Sequence, residues 1–414
     1  GRFAPALRAC SAPAERSSCT RTTLSASSVR SRTLRSPISA TSSGTTYTLV
    51  GGLPVPSSSS PGPIYGERAQ TLGRGRFFLG AYVAGINFTT LNGNPLDNIS
   101  FNFGHQDVAP TIATLIGLPV PATMTGRALS SALVPGAVPP RIVLLVVLDA
   151  FRADYLDRHA AALPNLSRIA RGGARFPRAR ADYLPTATSV AHATISTGAD
   201  PKGHGIVVNA MFDGATGKMS DPFPDRSPRH LMAPTLADAW AASTDGRTII
   251  ATQGGLFYAA GALAGHGACQ VGGHPVFAAS YETRSGQWAT NPECYRLHAS
   301  LADRTPQAIW EKAQGKWQGH DITGPDLVRR SALFAAYEVD SVIGVLEAEP
   351  FGADEIADLL LVNLKTPDFL GHRYGPDSPE IAEGLAAIDT ALGRLFAVAD
   401  STVNAVTMVL FFPI

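Results

Sequence analysis

The rhythm of apolar and polar positions changes several times along this chain. Through residues 1–43 no hydrophobic period persists. Ser, Arg, Ala and Thr dominate and Glu15 is the only acid, so a disordered leader is expected. Further on, "GRFFLGAYVAGINFTTLNG" alternates apolar and polar residues and meets the turn pair Asn92-Gly93, a hairpin signal within 64–108. "APTIATLIG" has helical spacing closed by Gly117, and "VPGAVPP" at 134–140 reads as a linker.

From residue 141 the pattern is regular. "RIVLLVVLDAF" is the unbroken apolar run of a central parallel strand. "LPNLSRIARGG" and "PTLADAWAAS" predict helices, and "RTIIATQG" predicts a strand. "PDLVRRSALFAAYEVDSVIGVLEAE" predicts one long amphipathic helix. The strand "ADLLLVNL" runs directly into "KTPDFLGH". Ser378 as N-cap, Pro379 at the first helical position and Glu380 in the first turn start another helix, and "AVTMVLFFPI" is a last strand. Alternating strands and helices predict an α/β fold with a parallel sheet covered on both faces. The expected organisation is a leader at 1–43, a hairpin or barrel-like fragment at 44–106, a segment and linker at 107–140, and an α/β domain at 141–414.

Composition narrows the class. With 414 residues and 45% hydrophobic content, the chain can bury a sizeable core. A formal net charge of +1 gives no reason to expect a nucleic-acid partner. The longest apolar run, "IVLLVVL", has strand length, so no transmembrane helix is expected, and no signal peptide is visible at residue 1. Of four cysteines, Cys269 and Cys294 flank a Gly-rich stretch. They pair if the compartment is oxidising, or remain two free thiols.

Three motifs carry candidate chemistry. Asp149 ends an apolar strand, where α/β sheets bind ligands, although it is equally placed to cap a helix. Asp368 and His372 stand four apart, so a helix puts them on one face, about 5–6 Å apart and able to share a cation. "PTATSVAHATISTG" offers the hydroxyls Thr186, Thr188 and Ser189 at the start of a short helix, where the dipole favours an alkoxide or a phosphate. His192 on that helix reads as a packing residue.

Taken together, strand–Asp149, then Thr188-x-x-x-His192 with "HGI…N", then "PDFLGHRYGP" resemble the nucleotide pyrophosphatase/phosphodiesterase (type I phosphodiesterase) branch of the alkaline phosphatase superfamily, over residues 141–414. The resemblance implies a three-layer α/β/α sandwich of alkaline-phosphatase type. It also implies hydrolysis of phosphodiester or pyrophosphate bonds in small nucleotide-type substrates through a phosphothreonine. Counting back from His192 and from Asn209 selects Thr188 as the nucleophile both times. By the same resemblance two Zn²⁺ are expected, one on Asp149 and Thr188, the other on Asp368 and His372, with Asn209 donating to a phosphoryl oxygen. Periplasmic or extracellular bacterial location follows as a further expectation.

The match has departures. Leu256 and Tyr258 fall where monoesterase relatives carry a Lys-x-Arg phosphate clamp, which favours a diester. Phe257 and Tyr258 could stack a base, with core packing as the plainer role. "DVAPTIATLIGLPVP" resembles the closing segment of these enzymes but precedes the core, and His105 before it is not the family's histidine. The family's further Asp-His pair and later His would lie past Ile414, so an incomplete domain with both zinc shells short and impaired activity is the expectation. Residues 64–108 weakly resemble an outer-membrane β-barrel transport protein. The alternative reading is a non-catalytic remnant or a misassembled fusion with such a protein.

Overall fold

In "IVLLVVL", successive side chains point to opposite sides of a strand. The computed structural model describes residues 104–402 apart from Pro135, Arg178 and Ala215, together with the strand Val406–Phe411 and five short strands among the first hundred residues. The leader expected at 1–43 lies outside the described residues. Of the barrel-like stretch, Thr46–Val50 pairs antiparallel with Leu53–Ser58 and with Arg76–Phe77. Thr90–Leu91 pairs antiparallel with Asn94–Pro95, on either side of Asn92-Gly93. Residues 11–101 form a unit of their own.

The main unit is built on a seven-stranded sheet. In chain order its strands are β1 (Ile142–Leu148), β2 (Ile250–Gly254), β3 (Val276–Tyr281), β4 (Trp288–Ala289), β5 (Tyr295–Arg296), β6 (Asp358–Leu364) and β7 (Val406–Phe411). Their order is β4-β3-β2-β6-β1-β7, with β5 on β3. All pairings are parallel except β3 with β4. The principal helices are α1 (Val108–Leu115), α2 (Pro164–Gly172), α3 (Thr188–Thr197), α4 (Leu236–Ser243), α5 (Phe257–Ala264), α6 (Phe334–Ala348), α7 (Thr366–Tyr374) and α8 (Pro379–Thr402).

Strand alternation sorts the core into two layers. Ile142, Leu144, Val146 and Leu148 pack with Phe334, Val339, Ile381 and Leu385 of α6 and α8. Val143, Leu145 and Val147 pack on the opposite face with Val108, Ile112, Ala193, Ile195 and Leu263. Strand β6 divides likewise, Leu360, Val362 and Leu364 to one side and Leu359 and Leu361 to the other. A strand buried on both faces is apolar along most of its length, which is why β1 reads as an unbroken run and β6 as one interrupted only by Asn363 after the leading Asp358. The result is the α/β/α sandwich.

Segment 107–133, set apart in the sequence, packs into the second layer through α1. Buried Asp107 accepts N–H bonds from Gly104 and Arg127, both at 2.9 Å, tying the segment's two ends. The long helix expected over 325–349 is interrupted. A short turn at Pro325–Val328 is followed by α6 from Phe334. Between them the Ser331 hydroxyl donates to Val328 O at 2.7 Å, and Arg329 and Arg330 both reach back to Asp326 at 2.6 Å. Local bonds of this kind compete with a continuous helix. The start of α8 is as expected, with Ser378 Oγ accepting from Ile381 N at 3.2 Å. Cys269 and Cys294 form a disulfide.

Candidate active site

Parallel strands bring their carboxyl ends to one edge, and the motifs meet there. β1 ends at Leu148. Asp149 N still donates to Leu364 O at 3.1 Å, and then Ala150 takes φ +52°. That left-handed turn, costing on the order of 1 kcal/mol for an alanine, swings the chain off the sheet. Asp149 caps no helix, because the next helical turn starts at Tyr155 behind Asp154. β6 ends beside it and passes through Lys365 into α7, which carries Asp368 and His372.

The contacts converge on Lys365. Its Nζ lies 2.8 Å from Asp149 Oδ2, 2.8 Å from Asp368 Oδ2 and 3.3 Å from Thr188 Oγ1. The two carboxylate oxygens are therefore within twice that shorter distance of each other. Lys365 is 2% exposed, Asp149 5% and Asp368 7%, so the ion cluster is shielded from solvent. His372 Nε2 stands 3.4 Å from Asp368 Oδ1, but its side chain is 83% exposed, at the mouth of the site. Burial alone would raise the Asp149 carboxyl. The Lys365 ammonium and the Asn363 amide outweigh it and hold the group below its ordinary value. Burial likewise opposes the Lys365 ammonium, and Asp149 and Asp368 more than offset it, so its pKa is raised.

Thr188 is the first residue of α3, behind Ala187 in extended conformation (φ −84°, ψ 155°). Its neighbours separate the three hydroxyls. The Ser189 hydroxyl is buried and donates to Val208 O at 3.1 Å, and Thr186 is exposed ahead of the helix. Asn209 Oδ1 accepts the Ser189 N–H at 3.0 Å, which orients the amide at the start of α3. His192 is fully buried. Its Nδ1–H donates to Thr188 O at 2.7 Å, and its Nε2 accepts from Asn363 Nδ2 at 3.0 Å. Burial lowers its pKa, so the neutral ring is a packing and orienting group, as the sequence suggested. Asn363 Nδ2 also donates to Asp149 Oδ2 at 3.3 Å, linking strand, helix and carboxylate.

Two participants escaped the sequence reading. Lys365 is one. Its only signal was a basic residue between an apolar strand and a candidate ligand, three positions before Asp368. Glu338 is the other, a fully buried acid in the apolar run of α6. It accepts the N–H of Lys365 at 2.9 Å and of Thr366 at 3.0 Å, and the Thr366 hydroxyl at 2.5 Å. A carboxylate from another helix thus caps the helix that carries Asp368 and His372. Burial pushes the Glu338 carboxyl up to about 7, against the pull of those donors.

Leu256 precedes α5 and Tyr258 lies in its first turn. Burial raises the Tyr258 phenol, and the Lys365 ammonium pulls against that rise, so Tyr258 borders the ion cluster. Phe257 packs against Tyr295 in the core, with centroids 5.6 Å apart. The two carboxylates and the hydroxyl of the cluster, with the exposed His372 imidazole beside Asp368, are oxygen and nitrogen donors of the kind that ligate a divalent cation. The two expected zinc pairs contribute two donors each. Among the described residues no three His, Cys, Asp or Glu side chains are grouped to hold a metal.

Strand-end carboxylates and a helix-start hydroxyl on a doubly covered parallel sheet define an alkaline-phosphatase-like α/β domain. Residues 143–411 match the type I phosphodiesterase / nucleotide pyrophosphatase family, and the chain belongs to it. It is 23% identical over 339 residues to alkaline phosphatase PafA of Elizabethkingia meningoseptica, covering 70% of this chain and 61% of that protein. It is 27% identical over 267 residues to a venom phosphodiesterase of Macrovipera lebetinus, covering 64% and 24%. Human ectonucleotide pyrophosphatase/phosphodiesterase family member 1 is 26% identical over 256 residues, covering 61% and 21%. The crystal structure of wild-type PafA superposes with a TM-score of 0.52 at 19% identity, over 67% of this chain and 63% of that one, and a PafA variant gives 0.55. The chain spans between about half and three-fifths of the length of the alkaline phosphatases it matches. The outer-membrane resemblance of residues 64–108 gains no support from these matches.

Proposed function

We propose that this domain hydrolyses phosphodiester or pyrophosphate bonds of small nucleotide-type substrates with Thr188 as nucleophile. The observation that carries the reading is the convergence of Thr188 Oγ1, Asp149 Oδ2 and Asp368 Oδ2 on one cation. An oxygen at the start of α3, beside a positive charge and the helix dipole, is the one best prepared to become an alkoxide. Asp149 and Thr188 would hold one metal ion, and Asp368 and His372 a second. When bound, zinc would lower the hydroxyl pKa and offset charge on the phosphoryl group.

The chain's own residues account for the rest. Thr188 Oγ1 bonds to phosphorus as the leaving oxygen departs, and the hydroxyl proton is given up to the leaving group, an alcohol from a diester or a phosphate from a pyrophosphate bond. The rest of the substrate stays esterified to the phosphothreonine, and water then cleaves the threonine–phosphorus linkage and restores the hydroxyl. His192, donating to Thr188 O, keeps the first turn of α3 in place. Asn209, fixed by Ser189 N–H, donates to a phosphoryl oxygen as charge builds there. The residues named here give each cation two protein donors, where catalytic zinc commonly has three, so slow turnover is the outcome to expect from them alone. The disulfide supports the periplasmic or extracellular expectation, since such bonds persist in oxidising compartments. No helix among the described residues is long and apolar enough to cross a membrane.

The test is Zn²⁺-dependent hydrolysis of bis-p-nitrophenyl phosphate beside p-nitrophenyl phosphate. A Thr188-dependent rate that favours the diester is expected. A rate that survives Thr188→Ala overturns the nucleophile, and a faster monoester rate overturns the substrate class. Complete inactivity, with further metal donors supplied by an extended chain, favours the non-catalytic remnant.

A further inference from the structure

We propose that Lys365 is a resident counter-ion that competes with divalent metal for Asp149 and Asp368, so that metal loading requires the ammonium to leave. The inference deepens the proposed function and rests on its assignment of those carboxylates as metal ligands.

The geometry is that of a built site. An ammonium has three N–H donors, and those of Lys365 meet three oxygens, Asp149 Oδ2, Asp368 Oδ2 and Thr188 Oγ1. The stem is held as firmly as the head. A Cβ on Gly255 would stand 2.7 Å from Cβ and Cγ of Lys365, so only a glycine leaves room for the stem there. The Phe369 ring, 3.2 Å from the same Cβ position, lies 5.9 Å from Nζ. The backbone N–H of the same residue is fixed by Glu338 at 2.9 Å. A surface lysine that had collapsed inward would have none of these.

Charge explains what the lysine does. Two ionised carboxylates this close and this buried repel each other and need a cation between them. Lys365 supplies it from within the chain. Metal ions held by Asp149 and by Asp368 would need the carboxylates that the ammonium now occupies and would repel it, so metal and ammonium exclude each other there. With Cβ and Cγ packed at Gly255, the ammonium can leave by rotation about the outer side-chain bonds, with α7 and β6 left in place. Such a device keeps the carboxylates poised when metal is scarce, at the cost of weaker metal binding.

The experiment uses the full chain, stripped by chelator and titrated with Zn²⁺ by calorimetry, with circular dichroism alongside. Lys365→Met removes the charge and keeps most of the volume. It should bind zinc at least about tenfold more tightly than the parent, as expected for deleting one positive charge at contact distance. Lys365→Arg keeps the charge and should stay close to the parent. If Lys365→Met does not fold, Lys365→Gln takes its place. Zinc affinity equal to or weaker than the parent's in a folded, uncharged variant overturns the proposal. Asp149→Asn separates the two ideas. If it leaves zinc affinity unchanged, or if no variant binds zinc at all, the ligand assignment fails and the competition with it. If it abolishes binding while Lys365→Met matches the parent, only the role given to the lysine fails.

Discussion

Replacing Glu338 by Gln tests how a buried charge is balanced against the helix it holds. Glu338 is 1% exposed and caps α7 through the N–H groups of Lys365 and Thr366. Its carboxyl is raised from 4.5 to about 7, burial being the largest cause. The folded chain therefore holds a proton here that the unfolded chain has already lost between those two pH values. Stability falls as pH rises through that window, and above it the penalty is complete. A shift of this size corresponds to about 3 kcal/mol. Glutamine mimics the protonated acid, with one acceptor and one donor end, and has no proton to lose. Parent and Glu338→Gln should thus differ little near pH 5. Near pH 8 the variant should be the more stable, by up to about 3 kcal/mol. The site should respond in the opposite sense. Glutamine cannot accept both N–H groups as a carboxylate does, so one buried donor loses its partner and the start of α7 loosens. Urea unfolding of both proteins at pH 5 and 8 reads the first effect. Amide hydrogen exchange at Lys365 and Thr366 reads the second, with protection lower in the variant at pH 8. Parallel stability curves across pH would refute the argument from burial. Unchanged protection at both amides would refute the capping role.

Other expectations follow from single contacts. Thr188→Ala should abolish Zn²⁺-dependent hydrolysis of bis-p-nitrophenyl phosphate. Asn209→Ala should slow it about 10²–10³-fold, as for other donors to a developing oxyanion, and a change of less than about threefold would remove Asn209 from the site. Reducing the Cys269–Cys294 bond, which closes a separation of 25 residues, should cost about 3 kcal/mol, read as the urea midpoint with and without dithiothreitol. Burial lowers His204 to about 4 against the pull of Asp200, and its ring is engaged by Thr194 at 2.9 Å and Ile206 N at 3.1 Å. The unfolded chain takes up that proton from about pH 6.5 downward and the fold does not. Stability present above 6.5 is therefore lost as pH falls toward 4, and His204→Gln should lose on the order of 2 kcal/mol less between pH 7 and 4.5.

How much was legible in the sequence depends on the range of the interaction. β1 and β6 were legible because burial on both faces leaves long apolar runs, "IVLLVVL" in β1 and "LLLV" in β6. The start of α8 was legible because its cap, Ser378, is three residues from the N–H it accepts. Asp149, Thr188 and Asp368 stood out as separate candidates because each sits at a strand exit or helix start, with His372 four residues beyond Asp368, and topology alone then carries the first three to one cation. Long-range partners left no such trace. Glu338 looks like one acid in an apolar helix, and its role exists only because α6 packs where the chain leaves β6, 27 residues later in sequence for Lys365. The interrupted helix at 325–349 failed for a related reason, since the periodicity of "PDLVRRSALFAAYEV" does not register that Ser331 and two arginines prefer local partners.

Lys365 is the most instructive omission. Metal-ligand reasoning searches for Asp, His and hydroxyl spacing and treats a neighbouring lysine as solvated. Yet a lysine between a central parallel strand and the helix that follows it has little access to solvent, because both flanking elements are buried. Its charge must then be met inside the protein, and at that edge of the sheet the available anions are the site carboxylates themselves. The same logic that makes a strand-end aspartate a candidate ligand makes a strand-end lysine its candidate counter-ion. In this chain both occur at one sheet edge, Asp149 after β1 and Lys365 after β6, on adjacent strands held in parallel register from Ile142 and Asp358 to Leu148 and Leu364. Two opposite charges issuing side by side from paired strands cannot avoid each other, so the ion pair follows from the register of β1 and β6 once that register is known.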